Sequence, residues 1–182
     1  MLLYVYSSSK IPLIKELMLS MWPTANVVAN KPRLFCIRLN ATPEQPLSAF
    51  RELIMNDADV NLTLALMPEK TQAILTEEWV EKAIRKLPYS NVSHEFLAYH
   101  VVKNYPNART PIRKNIDQTM EKHLKDTVLS LAKADLNASI AAKKLYVHRN
   151  TLLYRVHTTR EKTGIDPQSF LGAAFFHILY TV

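Results

Sequence analysis

Glycine is nearly absent from this chain of 182 residues: Gly164 and Gly172 are the only two. That excludes glycine-rich phosphate loops and a fold built on many tight hairpins, because both need residues that accept positive φ or close backbone approach. Cysteine occurs once, at Cys36, so there is no internal disulfide. A lone thiol in the apolar run Leu34-Phe35-Cys36-Ile37 reads as an inert core residue in a reducing compartment. No apolar run reaches the ~20 residues of a membrane helix. The opening segment from Met1 to Lys10 lacks basic residues ahead of its short apolar run and does not read as a secretory signal. These absences together lead to the expectation of a soluble, cytoplasmic protein.

Clusters with catalytic or metal-binding spacing are missing as well. His94 and His100 are six apart and off a common helical face, and His148 and His157 have no neighbouring Cys, His or acid to complete a ligand set. Glu77, Glu78 and Glu81 are explained by the start of a helix and by solvation. No metal, no cofactor and no enzyme activity are expected.

What the chain does have is apolar content and localised positive charge. Hydrophobic residues make up 48%, enough for a folded core. The formal net charge is +7, and the stretch Lys122 to Lys162 holds nine Lys and Arg against three acids, so most of the excess sits there. A basic balance of this kind favours polyanions.

Residues 1–88 read as strand, helix, strand, strand, helix, strand, helix. Leu2 to Tyr6 is a strand, with Ser7 to Ser9 placed to cap a helix from Lys10 to Met21. Asn26 to Ala29 and Arg33 to Leu39 form a hairpin around Asn30-Lys31-Pro32, Leu47 to Met55 is helical up to an Asn56 to Asp59 break, and Val60 to Met67 is a strand. Thr76-Glu77-Glu78 opens a helix closed by Pro88. The overall class is α+β: a small N-terminal α/β sandwich of unassigned role, then an all-α C-terminal part. Residues 89–118 read as a connecting helix, capped by Ser93, and a linker, with Pro106 to Pro111 as a turn. A helix over Ile112 to Ala134, with Met120, Leu124, Val128 and Leu131 as its seam, leads into the domain at 119–182.

The most informative stretch is Asn137 to Gly164. Asn137 is a good N-cap. Ile140, Ala141 and Leu145 share one face, Val147, Leu152 and Val156 supply a matching set, and the methyl groups of Ala141 and Ala142 allow close helix approach. A short helix, a turn at Tyr146-Val147 and a longer basic helix make a helix-turn-helix, whose second helix can lie in a DNA major groove. Gly164 is placed to end it, and an apolar helix from Phe170 to Val182 closes the chain.

The run LYVHRNTLLYR (Leu145 to Arg155), with Asn137, Ala142 and Thr163-Gly164-Ile165-Asp166, resembles the C-terminal helix-turn-helix of the PucR/CdaR family of bacterial transcription regulators. It is also similar to the DNA-binding part of the factor for inversion stimulation. The resemblance covers about a third of the chain, Met120 to Val182. It implies a DNA-reading helix over about 148–162, a homodimer on double-stranded DNA, and an N-terminal sensory region that responds to a small-molecule effector of unassigned identity. Family members often carry a degenerate diguanylate-cyclase-like domain, and the order of residues 1–88 fits one in topology. The Asn30-Lys31-Pro32 hairpin lacks the Gly-Gly and acidic residues of cyclase chemistry.

In this reading His148 caps the second helix, and Arg149, Asn150 and Thr151 fill its first turn. Arg149 suits guanine and Asn150 suits adenine, while Thr151, Tyr154, Arg155 and His157 suit phosphate or groove wall. Lys143 and Lys144 fit flanking phosphates. The plainer readings are that Tyr154 packs against the C-terminal helix and that Lys143 and Lys144 are a solvated face. The alternative for the whole protein is a dimerisation or protein-interaction module, derived from such a regulator, that does not bind DNA.

Overall fold

The structure, a computed structural model, describes residues 1–87 and 90–182. The expected helix stop at Pro88 and the domain boundary at 88 and 89 lie outside the described residues. The chain forms two compact units, one of residues 1–69 with 80–94 and one of 70–79 with 95–182.

The first unit is built on a five-stranded sheet of order β2-β3-β1-β4-β5. Its strands are β1 (Leu2–Ser7), β2 (Asn26–Lys31), β3 (Leu34–Arg38), β4 (Leu62–Met67) and β5 (Asn91–Ser93). Helix α1 (Ile11–Met21) follows β1, and α2 (Leu47–Ala58) follows β3. The β-α-β-β-α-β order with β1 between β3 and β4, antiparallel to both, is the ferredoxin-like arrangement. Strand β5, absent from the sequence reading, adds parallel to β4; three residues are too few to show alternation. One sheet face, with Leu3, Val5, Phe35 and Ile37, packs with Ile14 and Met18 of α1 and Ile54 of α2. The alternate residues Leu2, Tyr4, Leu34 and Cys36 are buried too, which accounts for the unbroken apolar runs and the buried thiol.

Two local expectations for this unit are corrected. The serines do not cap α1: its N-cap is Lys10, in the left-handed region at φ 54, and the Ser7 hydroxyl donates instead to the Asn61 carbonyl at 2.9 Å. Helix α2 runs through the supposed break to Ala58, because Ala58 extends the buried stripe of Ile54, and it ends at Asp59 with φ 48.

The short helix α3 (Glu69–Ile74), unread in the sequence, lies almost wholly in the second unit. Helix α4 (Glu77–Ile84) begins in the second unit and ends in the first, three residues short of the expected Leu87. The second unit continues with α5 (His94–Asn104), α6 (Pro106–Thr119), α7 (Lys122–Ala132), α8 (Ala138–Lys144), α9 (Arg149–Thr163) and α10 (Phe170–Thr181). Ser93 is the last residue of β5 and stands directly before the first residue of α5, at the position of the expected cap.

The PNARTP segment is helical, against expectation. Pro106 sits in the first turn of α6, where its missing N–H has no partner to lose, and the buried i+4 series Ala108, Ile112, Ile116 carries the helix past Pro111. The single helix expected over 112–134 is broken at Met120 and Glu121, both extended. The seam survives the break: Met120, Leu124, Val128 and Leu131 are all buried. Among the described residues no helix is long and apolar enough to cross a membrane.

Candidate nucleic-acid interface

The approach to α8 is a tight turn without glycine. Asp135 and Leu136 both lie at positive φ, 50 and 62, and the Asn137 N–H closes the turn on the Ala134 carbonyl at 2.8 Å. Asn137 then caps α8 as its identity dictates, its Oδ1 accepting from Ser139 at 3.0 Å and Ile140 at 3.1 Å. The α8 face turned inward is Ala138, Ala141, Ala142 and Leu145, an i, i+3, i+4, i+7 stripe packed with Leu131, Leu152 and Val156. Ile140, expected on that face, is 46% exposed, because it precedes Ala141 by about 100° around the helix. The Ser130 hydroxyl on α7 donates to the Ala141 carbonyl at 3.2 Å, an approach that small side chains on α8 permit.

The turn into α9 closes with two hydrogen bonds, from the Tyr146 N–H to Lys143 O and from the Val147 N–H to Ala142 O. This is a Schellman ending, in which the residue at the position of Tyr146 takes left-handed backbone angles and is most often glycine. Here it is tyrosine, at φ 53, and its side chain is 96% exposed. A tyrosine in that conformation carries a cost of about 1–2 kcal/mol.

His148 caps α9 through Nδ1, which accepts from the Asn150 N–H at 3.2 Å, so the ring is in the tautomer with its proton on Nε2. Helix α9 buries only Leu152, Val156, Thr159 and Thr163. At about 100° per residue, the face opposite that stripe carries Asn150, Tyr154, His157 and Glu161, while Arg149 and Arg155 border the buried stripe on its two sides. Arg149, Asn150, Thr151 and His157 are exposed, Arg155 is half-buried, and Tyr154 is 72% exposed rather than packed on α10. Lys143 is exposed, and Lys144 donates to the Lys133 carbonyl at 3.2 Å, which ties it to the end of α7.

Charge is distributed unevenly along α9. Its C-terminal cations are neutralised: Arg160 meets Asp166 at 3.4 Å, and Lys162 meets Glu121 at 2.8 Å. The hydrogen bond from Lys162, followed by one from the backbone, holds the Glu121 carboxyl below its ordinary value. Glu161 is engaged by Lys70 at 3.4 Å. Among the described residues Arg149, Arg155 and Lys143 have no such acid partner. The first turn of α9 therefore combines exposed Arg149 with the positive end of the helix dipole, and exposed Lys143 lies just before it in α8, an arrangement suited to an anionic ligand.

The far end of α9 is fixed by Gly164, whose role the sequence shows, and by Thr71 and Glu95, which the sequence reading left without one. Thr71 on α3 donates to the Thr163 carbonyl at 3.1 Å in a buried bond. Gly164 ends the helix at φ 72, as its lack of a side chain predicts. Glu95 on α5 accepts from the Asp166 N–H at 2.8 Å and the Ser169 hydroxyl at 2.7 Å, holding the loop that leads into α10. No local spacing signals these long-range partners. Among the described residues no group of three or more His, Cys, Asp or Glu is placed to hold a metal ion.

Comparison with known proteins bears on the same region. Residues 124–180 match the family model described as the PucR C-terminal helix-turn-helix domain. Over 59 residues the chain is 36% identical to the uncharacterized protein YxkF of Bacillus subtilis, a match that spans 32% of this chain and only 20% of that protein. In fold, the chain is similar to the crystal structure of a regulator of polyketide synthase expression from Bifidobacterium adolescentis. The TM-score is 0.50 at 18% identity, over 98% of this chain and 77% of the other.

Proposed function

We propose that this chain, with its PucR-type helix-turn-helix domain at residues 124–180, is a sequence-specific DNA-binding transcription regulator that acts in the cytoplasm as a homodimer. The observation that carries the reading is the first turn of α9, where exposed Arg149, Asn150 and Thr151 stand beside a His148 cap with no neutralising acid among the described residues. In the major groove, Arg149 donates to the O6 and N7 of guanine and Asn150 pairs with adenine, each worth ~1–3 kcal/mol of discrimination. Thr151, Tyr154, Arg155 and His157 meet phosphate or groove wall, and Lys143 and Lys144 meet the flanking backbone. The sheet-containing unit is assigned to assembly or to sensing a small molecule.

The test is selection of bound duplexes from a random pool, followed by fluorescence anisotropy at several salt concentrations. A two-fold symmetric consensus is expected, as a dimer with two recognition helices requires. Arg149→Ala weakens operator binding and relaxes base preference. Lys143→Ala weakens all sequences and lowers the salt slope by about one contact. Absence of salt-dependent DNA binding at low ionic strength overturns the reading.

A second reading, a dimerisation module without DNA binding, draws on Phe170 and Val182 at the two ends of α10, 76% and 72% exposed. Size-exclusion chromatography separates the two. Stable dimers indifferent to DNA favour the module.

A further inference from the structure

The side chain that the fold leaves most conspicuously unused is Tyr146. Its backbone is held in the left-handed region by the two bonds that end α8, and its ring is 96% exposed. Lys10, Asp59, Asp135 and Leu136 also lie at positive φ, but Lys10 donates to the Ala58 carbonyl and Leu136 packs on the core of the helix pair, whereas no packing compensates Tyr146, where glycine would take the conformation as it does at Gly164. A strained aromatic in free solvent makes no contribution to the fold that glycine would not make better, so its use lies in what the ring meets outside the chain. Its surroundings say what that is: exposed Lys143 and Lys144 precede it in the last turn of α8, and the exposed cap His148 and Arg149 follow it.

We infer that Tyr146 is a phosphate-positioning residue: its hydroxyl donates to a non-bridging oxygen of the DNA backbone beside the bases that α9 reads, and its ring lies along the adjoining deoxyribose. This rests on the DNA-binding reading above and adds a contact that carries register rather than base preference. A neutral donor of this kind releases no counterion, so it contributes affinity without contributing to the salt slope.

The experiment uses the full chain, the duplex recovered by selection and a scrambled duplex of the same length, with Tyr146→Phe, Tyr146→Gly, Lys143→Ala and Arg149→Ala compared by anisotropy and thermal melting. Tyr146→Phe is expected to weaken both duplexes about tenfold with the salt slope unchanged, the size of one hydrogen bond to a charged acceptor. Tyr146→Gly is expected to weaken binding further while melting no lower than wild type. Wild-type affinity in both Tyr146 variants, with binding still lost in Arg149→Ala, overturns this inference and leaves the DNA-binding reading standing. A Tyr146→Gly protein that melts lower also overturns it, because the ring then serves the fold. If wild type binds neither duplex, the DNA-binding reading fails and the inference falls with it.

Discussion

Replacing Gly172 by alanine should destabilise this protein, although the substitution is ordinarily favourable in a helix. Within a helix, alanine is better than glycine by ~1 kcal/mol. At Gly172, in the first turn of α10, an added Cβ would stand 2.0 Å from the Asp166 carbonyl oxygen and 2.9 Å from the Ser169 hydroxyl, where ordinary contact begins at 3.4 Å. The oxygen has to retreat, and it belongs to a loop pinned by Glu95 through the Asp166 N–H at 2.8 Å and the Ser169 hydroxyl at 2.7 Å. Each bond to that carboxylate is worth about 1.5–3 kcal/mol, so losing both costs about 3–6 kcal/mol, against the ~1 kcal/mol gained. The net loss is about 2–5 kcal/mol, a fall in Tm on the order of 10 °C for a chain of this length. Thermal and urea unfolding followed by circular dichroism measures it. A double-mutant cycle with Glu95→Ala tests the cause, because the Gly172→Ala penalty should shrink once the loop has been released. An unchanged or raised Tm in Gly172→Ala would refute the reasoning.

Asn137→Ala removes the acceptor of two first-turn N–H groups of α8 and should cost ~1 kcal/mol, seen as a Tm lower by about 2–4 °C, with Asn137→Asp near wild type. Gly164→Ala forces an alanine to φ 72 and should cost about 1–2 kcal/mol in the same assay. Asp117 should contribute an acid-sensitive part of stability. Burial pushes its carboxyl up, but hydrogen bonds from Lys125 and the Tyr180 hydroxyl, with the charges of Lys125 and Arg113, hold it below its ordinary 3.8. A depressed carboxyl contributes stability that is present above 3.8 and lost as pH falls through its lowered folded value. Unfolding measured from pH 6 down should lose that part, and Asp117→Asn should flatten the acid limb.

The parts of the fold legible in the sequence are those fixed by residues close in the chain. Asn137 and Gly164 bracket the helix pair because a cap and a left-handed ending each depend on one side chain and its next few neighbours. The apolar runs of β1 and β3 were legible because a sheet buried on both faces leaves little polar alternation to misread, while β4, which contains Thr63, was read from partial alternation. What stayed hidden needed tertiary context. Helix α6 survives PNARTP because Ala108, Ile112 and Ile116 are buried, whereas the sequence displays only the two prolines. The inward face of α8 was misassigned at Ile140 because in a seven-residue helix alanines, not the largest apolar side chain, face the partner. In the candidate interface, the cap at His148 was readable; the exposed ring of Tyr146 and the clamp by Thr71 on the end of α9 were not.

The composition of α9 bears on how such a helix stays in place. Of its fifteen residues it buries four, and two of those are threonines rather than large apolar side chains. Thr159 and Thr163 turn their hydroxyls back to the carbonyls of Arg155 and Thr159, satisfying themselves within the helix and presenting methyl groups outward. So small an apolar stripe cannot by itself fix a helix in one orientation. The remaining restraint comes at the C-terminal end, from Thr71 on the last carbonyl, Lys162 on Thr119 and Glu121, and Arg160 on Asp166. The N-terminal half is anchored by Leu152, Val156 and the His148 cap; Leu153 and Arg155 are half-buried, and Arg149, Asn150, Thr151 and Tyr154 face solvent. Fixing one end through neighbours frees the opposite end to carry polar and cationic groups that no packed helix could keep. If that division of labour holds, Thr71→Val should loosen α9, raising amide exchange near Thr163 before it lowers Tm. Unchanged exchange there would place the restraint elsewhere.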